Sequence, residues 1–140
     1  MTAPSVLSQH EMTIASEDDV VLVRLKAREL AAQLGFDPFA IVAIVTACSE
    51  LGRNVWRHAT RGRARFTVVE SGGRVGLRVQ FDDAGPGIVD VATALAGGNS
   101  TIRSLGLGLA GSRRLADEFT LESVVGQGTH VSFTKWKRRC

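Results

Sequence analysis

Glu50 and Asn54 stand four residues apart, which is one turn if the segment around them is a helix. A carboxylate can take a proton from an attacking hydroxyl. An asparagine oxygen is a neutral hard ligand for Mg2+, an ion that keeps most of its shell as water and phosphate oxygens. Alone, such a pair is more often an exposed polar couple. Three more stretches change its weight. Asp83-Ala84-Gly85-Pro86-Gly87 places a carboxylate on a glycine-kinked turn, Gly106-Leu107-Gly108-Leu109 is a glycine-rich way into a helix, and Gly126-Gln127-Gly128-Thr129 sets a hydroxyl after a glycine turn.

Each stretch has its own chemistry. An ionised aspartate only accepts hydrogen bonds, so a buried Asp83 would suit the amino group of adenine and reject the carbonyl that guanine presents there. Gly85 and Gly87 let the backbone adopt unusual angles and come close to a ligand, and Thr129 can complete an adenine contact through water. By itself the Asp83 stretch is equally a plain loop, and Thr129 equally a routine strand residue. Gly106-Leu107-Gly108-Leu109-Ala110-Gly111 matches the dinucleotide fingerprint in letters. That fingerprint needs a hydrophobic strand directly before it. The polar residues 98–104 precede it here, so a Rossmann site is excluded. What remains is a helix N-terminus whose free N–H groups suit phosphates, with helix packing as the other reading of Gly111. Neither a P-loop nor the eukaryotic-type kinase set occurs. Together the four stretches make a kit for holding Mg-ATP by other means.

The elements that must position these residues follow from spacing. Glu11 to Ile14 reads as a short strand, and Ser16 before three acidic residues as a helix start. Apolar residues at helical spacing run from Val20 to Leu34 and stop at Gly35. Asp37-Pro38 restarts a helix, with Asp as N-cap and Pro in the first turn, and this helix extends to about Ala59. On its wheel Ile41, Ile44, Val45, Cys48, Val55 and Ala59 face the core, while Glu50 and Asn54 fall nearly opposite beside Ala43 and Ala47. Arg65–Glu70 and Val75–Asp82 alternate as strands joined at Ser71-Gly72-Gly73, and Asp82 should face away from Asp83. After a short helical segment, the polar residues 96–104 lead to a helix over Leu107–Ala116. A second hairpin joins Phe119–Val125 to His130–Trp136 across Gly126-Gln127-Gly128. The expected fold is α+β, a two-layer sandwich of a mixed, mostly antiparallel sheet with helices on one face.

With 140 residues, the chain makes one domain, expected over 10–136 with an N-terminal tail at 1–9 and a basic tip at 137–140. The sequence shows neither a span-length apolar run nor a signal-peptide start, so a cytoplasmic location without membrane contact is expected. Cys48 and Cys140 have no metal-ligand neighbours at useful spacing. Lys135, Lys137, Arg138 and Arg139 together exceed the net charge of +3, so the rest of the chain is near neutral. A terminal basic cluster is usually a solvated end, and no nucleic-acid partner is expected.

Glu50/Asn54, Asp83/Gly85/Gly87, Gly106/Gly108 and Gly128-Thr129 resemble the N, G1, G2 and G3 boxes of the Bergerat-fold (GHKL) ATPases. That superfamily includes DNA gyrase, the ninety-kilodalton heat-shock chaperone and sensor histidine kinases. Without a phosphoacceptor domain, the chain is similar to the bacterial anti-sigma-factor serine kinases over about residues 10 to 136. Ser49-Glu50-Leu51 with Arg53-Asn54, Asp83 to Ile88, Ser104 to Leu109, Arg114 to Phe119, and Gly128-Thr129 with Thr134-Lys135-Trp136 carry the likeness. The resemblance implies an ATP-dependent serine/threonine kinase that phosphorylates STAS-domain proteins, both scaffold and antagonist, of a stressosome-like assembly. It further implies a partner switch that activates a PP2C-type protein phosphatase on release. By the same resemblance Glu50 is the general base and Asn54 the Mg2+ ligand. Asp83 and Thr129 read adenine, Gly85 and Gly87 shape its pocket, and Gly106, Leu107 and Gly108 cradle phosphate under a lid at 99–104.

The chain departs from the family pattern in two places. Ile102 and Arg103 stand in the lid where more glycine is expected, and Arg57-His58 replaces more apolar residues. The alternative of the same fold is an anti-sigma factor or nucleotide-gated binding switch with little kinase activity.

Overall fold

Two hydroxyl- or carboxyl-bearing residues start the helical layer where the sequence places them. Ser16 caps helix α1 (Glu17–Gln33), its Oγ accepting the Asp19 N–H at 3.2 Å, while Asp19 Oδ2 accepts the Ala15 N–H at 2.8 Å. This reciprocal pair satisfies donors that a helix start leaves open. Asp37 caps α2 (Pro38–Asn54) by accepting the Ala40 N–H at 2.9 Å, with Pro38 in the first turn. The computed structural model describes residues 3–96 and 108–138.

The strands are β1 (Ser5–Ile14), β2 (Gly62–Ser71), β3 (Arg74–Asp83), β4 (Glu118–Val124) and β5 (Gly128–Trp136). They form one sheet in the order β1-β2-β3-β5-β4. The α+β sandwich is as expected, and the sheet proves antiparallel in every pairing among the described residues. Gly72 and Gly73, both at positive φ, form the two-residue turn between β2 and β3, the geometry that matches strand twist. Between β3 and β4 lie α3 (Val91–Ala96) and α4 (Gly108–Leu115).

β1 begins at Ser5, so residues 5–9, expected as a tail, are strand paired to Val68–Glu70 and Thr67 of β2. Almost all of β1 is exposed on both faces. Only the half-buried Met12 and the buried Ile14 at its end turn inward, so the earlier residues carry no alternating pattern to read.

The core lies between one sheet face and the helices. Phe66, Leu77, Val79, Phe81 and Phe133 pack against Val23, Ala27, Ile44, Cys48 and Leu51. Each large side chain so buried contributes roughly 1.5–3 kcal/mol. The stretch Pro38–Ala59 is long and apolar enough to cross a membrane by length and composition, but half of it is buried inside the domain, as a core helix is. The opposite sheet face carries polar side chains such as Gln80, Asp82 and His130.

Candidate functional site

Strand alternation and one irregular helical turn bring the site residues to one end of the sheet. α2 does not end at Asn54 but widens into a π-helical turn, Val55–Ala59, closed by Thr60 at φ +61°. Such turns carry an extra residue and recur at functional sites. Here the turn sets Ala59 against the loop after β3: a Cβ on Gly85 would lie 2.6 Å from the Ala59 Cβ. Gly85 is therefore required by the protein's own packing.

Glu50 is only 8% exposed. The wheel places it away from the core, and that holds for the sheet, but α4 covers this side. Glu50 Oε1 accepts from the Arg53 guanidinium at 2.6 Å, and Oε2 accepts the Gly108 N–H at 3.3 Å. Ala47, only 1% exposed, adds to the small-residue face that the helical layer closes over. Gly108 opens α4 at φ +43°, and its carbonyl accepts the Ser112 hydroxyl at 2.9 Å. Asn54 is half-buried, and its amide has no partner among the described residues. Glu50 and Asn54 are thus not a mutually bonded couple; Arg53 takes the carboxylate.

Asp83 is the last residue of β3 and lies on the helix-facing side with Phe81. Its Oδ1 accepts the Gly85 N–H at 2.9 Å, while Oδ2 has no partner among the described residues. The expectation of a buried carboxylate here needs correction. Asp83 is half-buried, and the buried one is Asp82, on the other face as alternation requires. Asp82 is closed off by His130 Nδ1 at 2.6 Å, Gln80 Nε2 at 3.0 Å and Arg63 Nε at 3.7 Å.

Thr129 is the cross-strand partner of Asp83, and Gly62 is its partner on the other side. Side chains are excluded all around this point. A Cβ on Gly62 would sit 2.6 Å from Val55 Cγ1, one on Gly87 would sit 2.5 Å from the Val124 carbonyl, and one on Gly128 would collide with the Asp83 carbonyl. Two hydrogen bonds pin the loop to the second hairpin. Gly126 N–H donates to the Pro86 carbonyl at 2.9 Å, and Ile88 N–H donates to Ser123 Oγ at 2.8 Å. Ser123 Oγ also meets Thr129 Oγ1 at 2.9 Å.

The structure therefore brings Glu50 to Gly108, and Asp83 to Gly85, Gly87 and Thr129, with α2 and its π turn joining the two halves. Gly106, Leu107 and the lid at 99–104 lie outside the described residues. Sequence reasoning gave Arg53, which lies within the Glu50–Asn54 motif, no role of its own, and it missed Gly62 and Ser123. Gly62, between Arg61 and Arg63 at the start of a strand, carried a weak signal; Ser123, an ordinary strand serine, carried none.

The arrangement fits a purine nucleotide on its own terms. It offers one acceptor oxygen at Asp83 without a partner, an unbonded amide at Asn54, and backbone N–H groups at the start of α4, where anions are favoured. No cluster of three His, Cys, Asp or Glu side chains occurs among the described residues, so a cation at Asn54 would take most ligands from phosphate and water.

Residues 13–135 match the family described as the histidine kinase-like ATPase domain. The chain is 42% identical over 125 residues to the serine/threonine-protein kinase RsbT of Bacillus subtilis, a match covering 89% of this chain and 94% of that protein. Among solved structures, the RsbU and RsbW domains of a Mycobacterium tuberculosis protein superpose with a TM-score of 0.67 at 20% identity, covering 96% of this chain and 34% of that one. The SiaB–SiaC complex from Pseudomonas aeruginosa gives 0.51 at 12%, covering 94% and 90%. At these identities the two structures speak to fold alone.

Proposed function

The chain belongs to the histidine kinase-like ATPase family and is a partner-switching serine/threonine-protein kinase; we propose that it transfers the γ-phosphoryl group of Mg-ATP to a serine or threonine on STAS-domain proteins. The observation that carries this reading is the 42% identity to a serine/threonine-protein kinase along nearly the full length of both chains. The binding-switch alternative is not favoured.

In this reading Asp83 Oδ2 accepts the adenine amino group, and Oδ1 stays committed to the Gly85 N–H, which fixes the carboxylate's orientation. Gly85 and Gly87 keep the pocket wall free of side chains. Ser123 holds the Thr129 hydroxyl beside Asp83, where it supports adenine recognition. Asn54 offers its amide oxygen to Mg2+. Gly106, Leu107 and Gly108 hold phosphate at the start of α4. Mg-ATP, when bound, supplies the transferable phosphoryl group and the charge that stabilises its transfer.

Glu50 is the proposed general base, and its two hydrogen bonds define what it must give up. Gly108 N–H is one of the donors that the first turn of α4 leaves open, and Glu50 holds it here. Once that N–H turns to phosphate, Oε2 is free to accept the proton of the attacking hydroxyl, while Arg53 keeps the side chain oriented through Oε1.

The proposed substrates are scaffold and antagonist STAS-domain proteins, the proposed downstream partner a PP2C-type phosphatase, and the proposed location the cytoplasm. The test is phosphotransfer from γ-labelled ATP with Mg2+ to STAS-domain proteins of the same genome, with Glu50→Ala alongside. Label on a STAS domain that depends on Glu50 supports the reading. No label, with ATP binding confirmed, returns the protein to a nucleotide-gated switch.

A further inference from the structure

Arg74 and Asp83 are the two ends of β3, so at ~3.3 Å per residue they are about 30 Å apart. At the Arg74 end, remote from the nucleotide site, a groove of about 340 Å³ opens between the first turn of α2 and the ends of β3 and β5. Phe39 forms one wall and is 89% exposed, with Val42 one turn further on also exposed. Trp136 forms the other, its ring 5.8 Å from the Arg74 guanidinium.

The charges in this groove are unequally satisfied. Asp117 Oδ2 accepts the Trp136 N–H at 2.7 Å, and its Oδ1 pairs with Lys135 at 3.5 Å. Glu118 accepts the Trp136 indole N–H at 2.6 Å, and Asp37 is occupied as the cap of α2. The acids are thus answered within the protein. Arg74, by contrast, has no acidic partner among the described residues: its Nη2 donates to the Lys137 carbonyl at 3.5 Å and its Nε is buried without an acceptor. Arg138 is exposed and also has no acidic partner among them. A carboxylate entering the groove would answer the Arg74 and Arg138 charges with charge-assisted bonds.

We propose that this groove docks a segment of a partner protein in which a carboxylate stands next to an apolar side chain. The carboxylate pairs with Arg74 and Arg138, and the apolar side chain lies between Phe39 and Trp136. Aromatic and arginine anchors at the centre of a concave patch are the residues that dominate protein recognition. The groove leaves the nucleotide end free, so a partner held here and a substrate presented to the nucleotide can be engaged together.

The test is selection of a library of short random displayed peptides on the intact protein, followed by affinity measurements on Phe39→Ala and Arg138→Glu. Both substitutions are at exposed positions. The expected result is enrichment of peptides pairing Asp or Glu with a large apolar residue. Their affinity should fall about ten-fold or more in each variant, with ATP binding unchanged in both. Failure to enrich any such peptide, or binding to the two variants as tight as to the unmodified protein, overturns the proposal. A single-stranded oligonucleotide bound through Arg138 in place of peptides would also overturn it, and would reassign the basic end to nucleic acid. None of these outcomes bears on the nucleotide site.

Discussion

The Glu50 carboxylate and the Gly108 backbone N–H are hydrogen-bonded at 3.3 Å, which ties the acid on α2 to the first residue of α4.

If Glu50 is the base, removing it should separate binding from chemistry. Glu50→Ala is expected to retain ATP and to slow phosphotransfer by roughly a hundred-fold or more. Single-turnover transfer to a STAS-domain substrate, with nucleotide binding measured in parallel, checks this. Undiminished transfer would remove Glu50 from the chemistry.

Asp83→Asn isolates a single atom. The new amide oxygen can still accept the Gly85 N–H that Oδ1 accepts now, so the turn should survive. The amide nitrogen then opposes the adenine amine, donor against donor. ATP affinity should fall by roughly ten-fold or more, with the melting temperature of the nucleotide-free protein little changed. Calorimetric titration that found wild-type affinity would sink the adenine assignment.

Two glycines of the second hairpin should respond differently to alanine. At Gly126 nothing lies within 4 Å of the added Cβ, so only the positive φ opposes it, at about 1 kcal/mol. At Gly128 the added carbon meets the Asp83 backbone as well, and a loss of about 3 kcal/mol or more is expected. Urea unfolding of the two variants gives the comparison, and equal losses would contradict the packing described.

Ser123→Ala removes the acceptor of the Ile88 N–H and the neighbour of the Thr129 hydroxyl. The expected cost is about 1 kcal/mol in stability, together with weaker ATP binding. A variant with normal stability and normal ATP affinity would mean that the pocket does not depend on this serine.

Burial pushes the Cys48 thiol well above its ordinary pKa, which sets a sign for pH dependence. Below about pH 8.5 the thiol is neutral in both folded and unfolded chains and costs nothing. As pH rises past that value the unfolded chain ionises first, so folding stability falls progressively. Cys48→Ala should show a shallower decline from about pH 8 to 10 in urea unfolding. In the native protein, Cys48 should react with iodoacetamide only as fast as the chain unfolds. Prompt alkylation at this position would show the site to be open.

Local signals were legible, and contacts between distant elements were not. Ser16 and Asp37 announce helix starts because a cap needs only the residues next to it. Gly72-Gly73 announces its turn for the same reason, and the alternation that separates Asp82 from Asp83 is intrinsic to a strand. β1 begins earlier than its pattern because residues 5–11, exposed on both faces, have no apolar period to read. The wheel put Glu50 away from the core beside small alanines, but a wheel describes one helix and cannot name α4 as what lies across it. Ser123 was invisible because its importance comes from the Ile88 and Thr129 groups that the fold brings to it. The four boxes were recognisable as a set because their order is fixed, while the roles of their members depend on the neighbours just described.

The two halves of the site are built differently. The Asp83 half is locked by strand register, by glycines without clearance and by the two hydrogen bonds to the second hairpin. On the proposed reading, the phosphate half opens on the first N–H of α4, which Glu50 already occupies. Base identity is then read by parts that do not rearrange, and it should be read equally well in ATP and ADP. On that same reading, a difference between the two nucleotides would register at the other half, where phosphate competes with the Glu50 carboxylate for the Gly108 N–H.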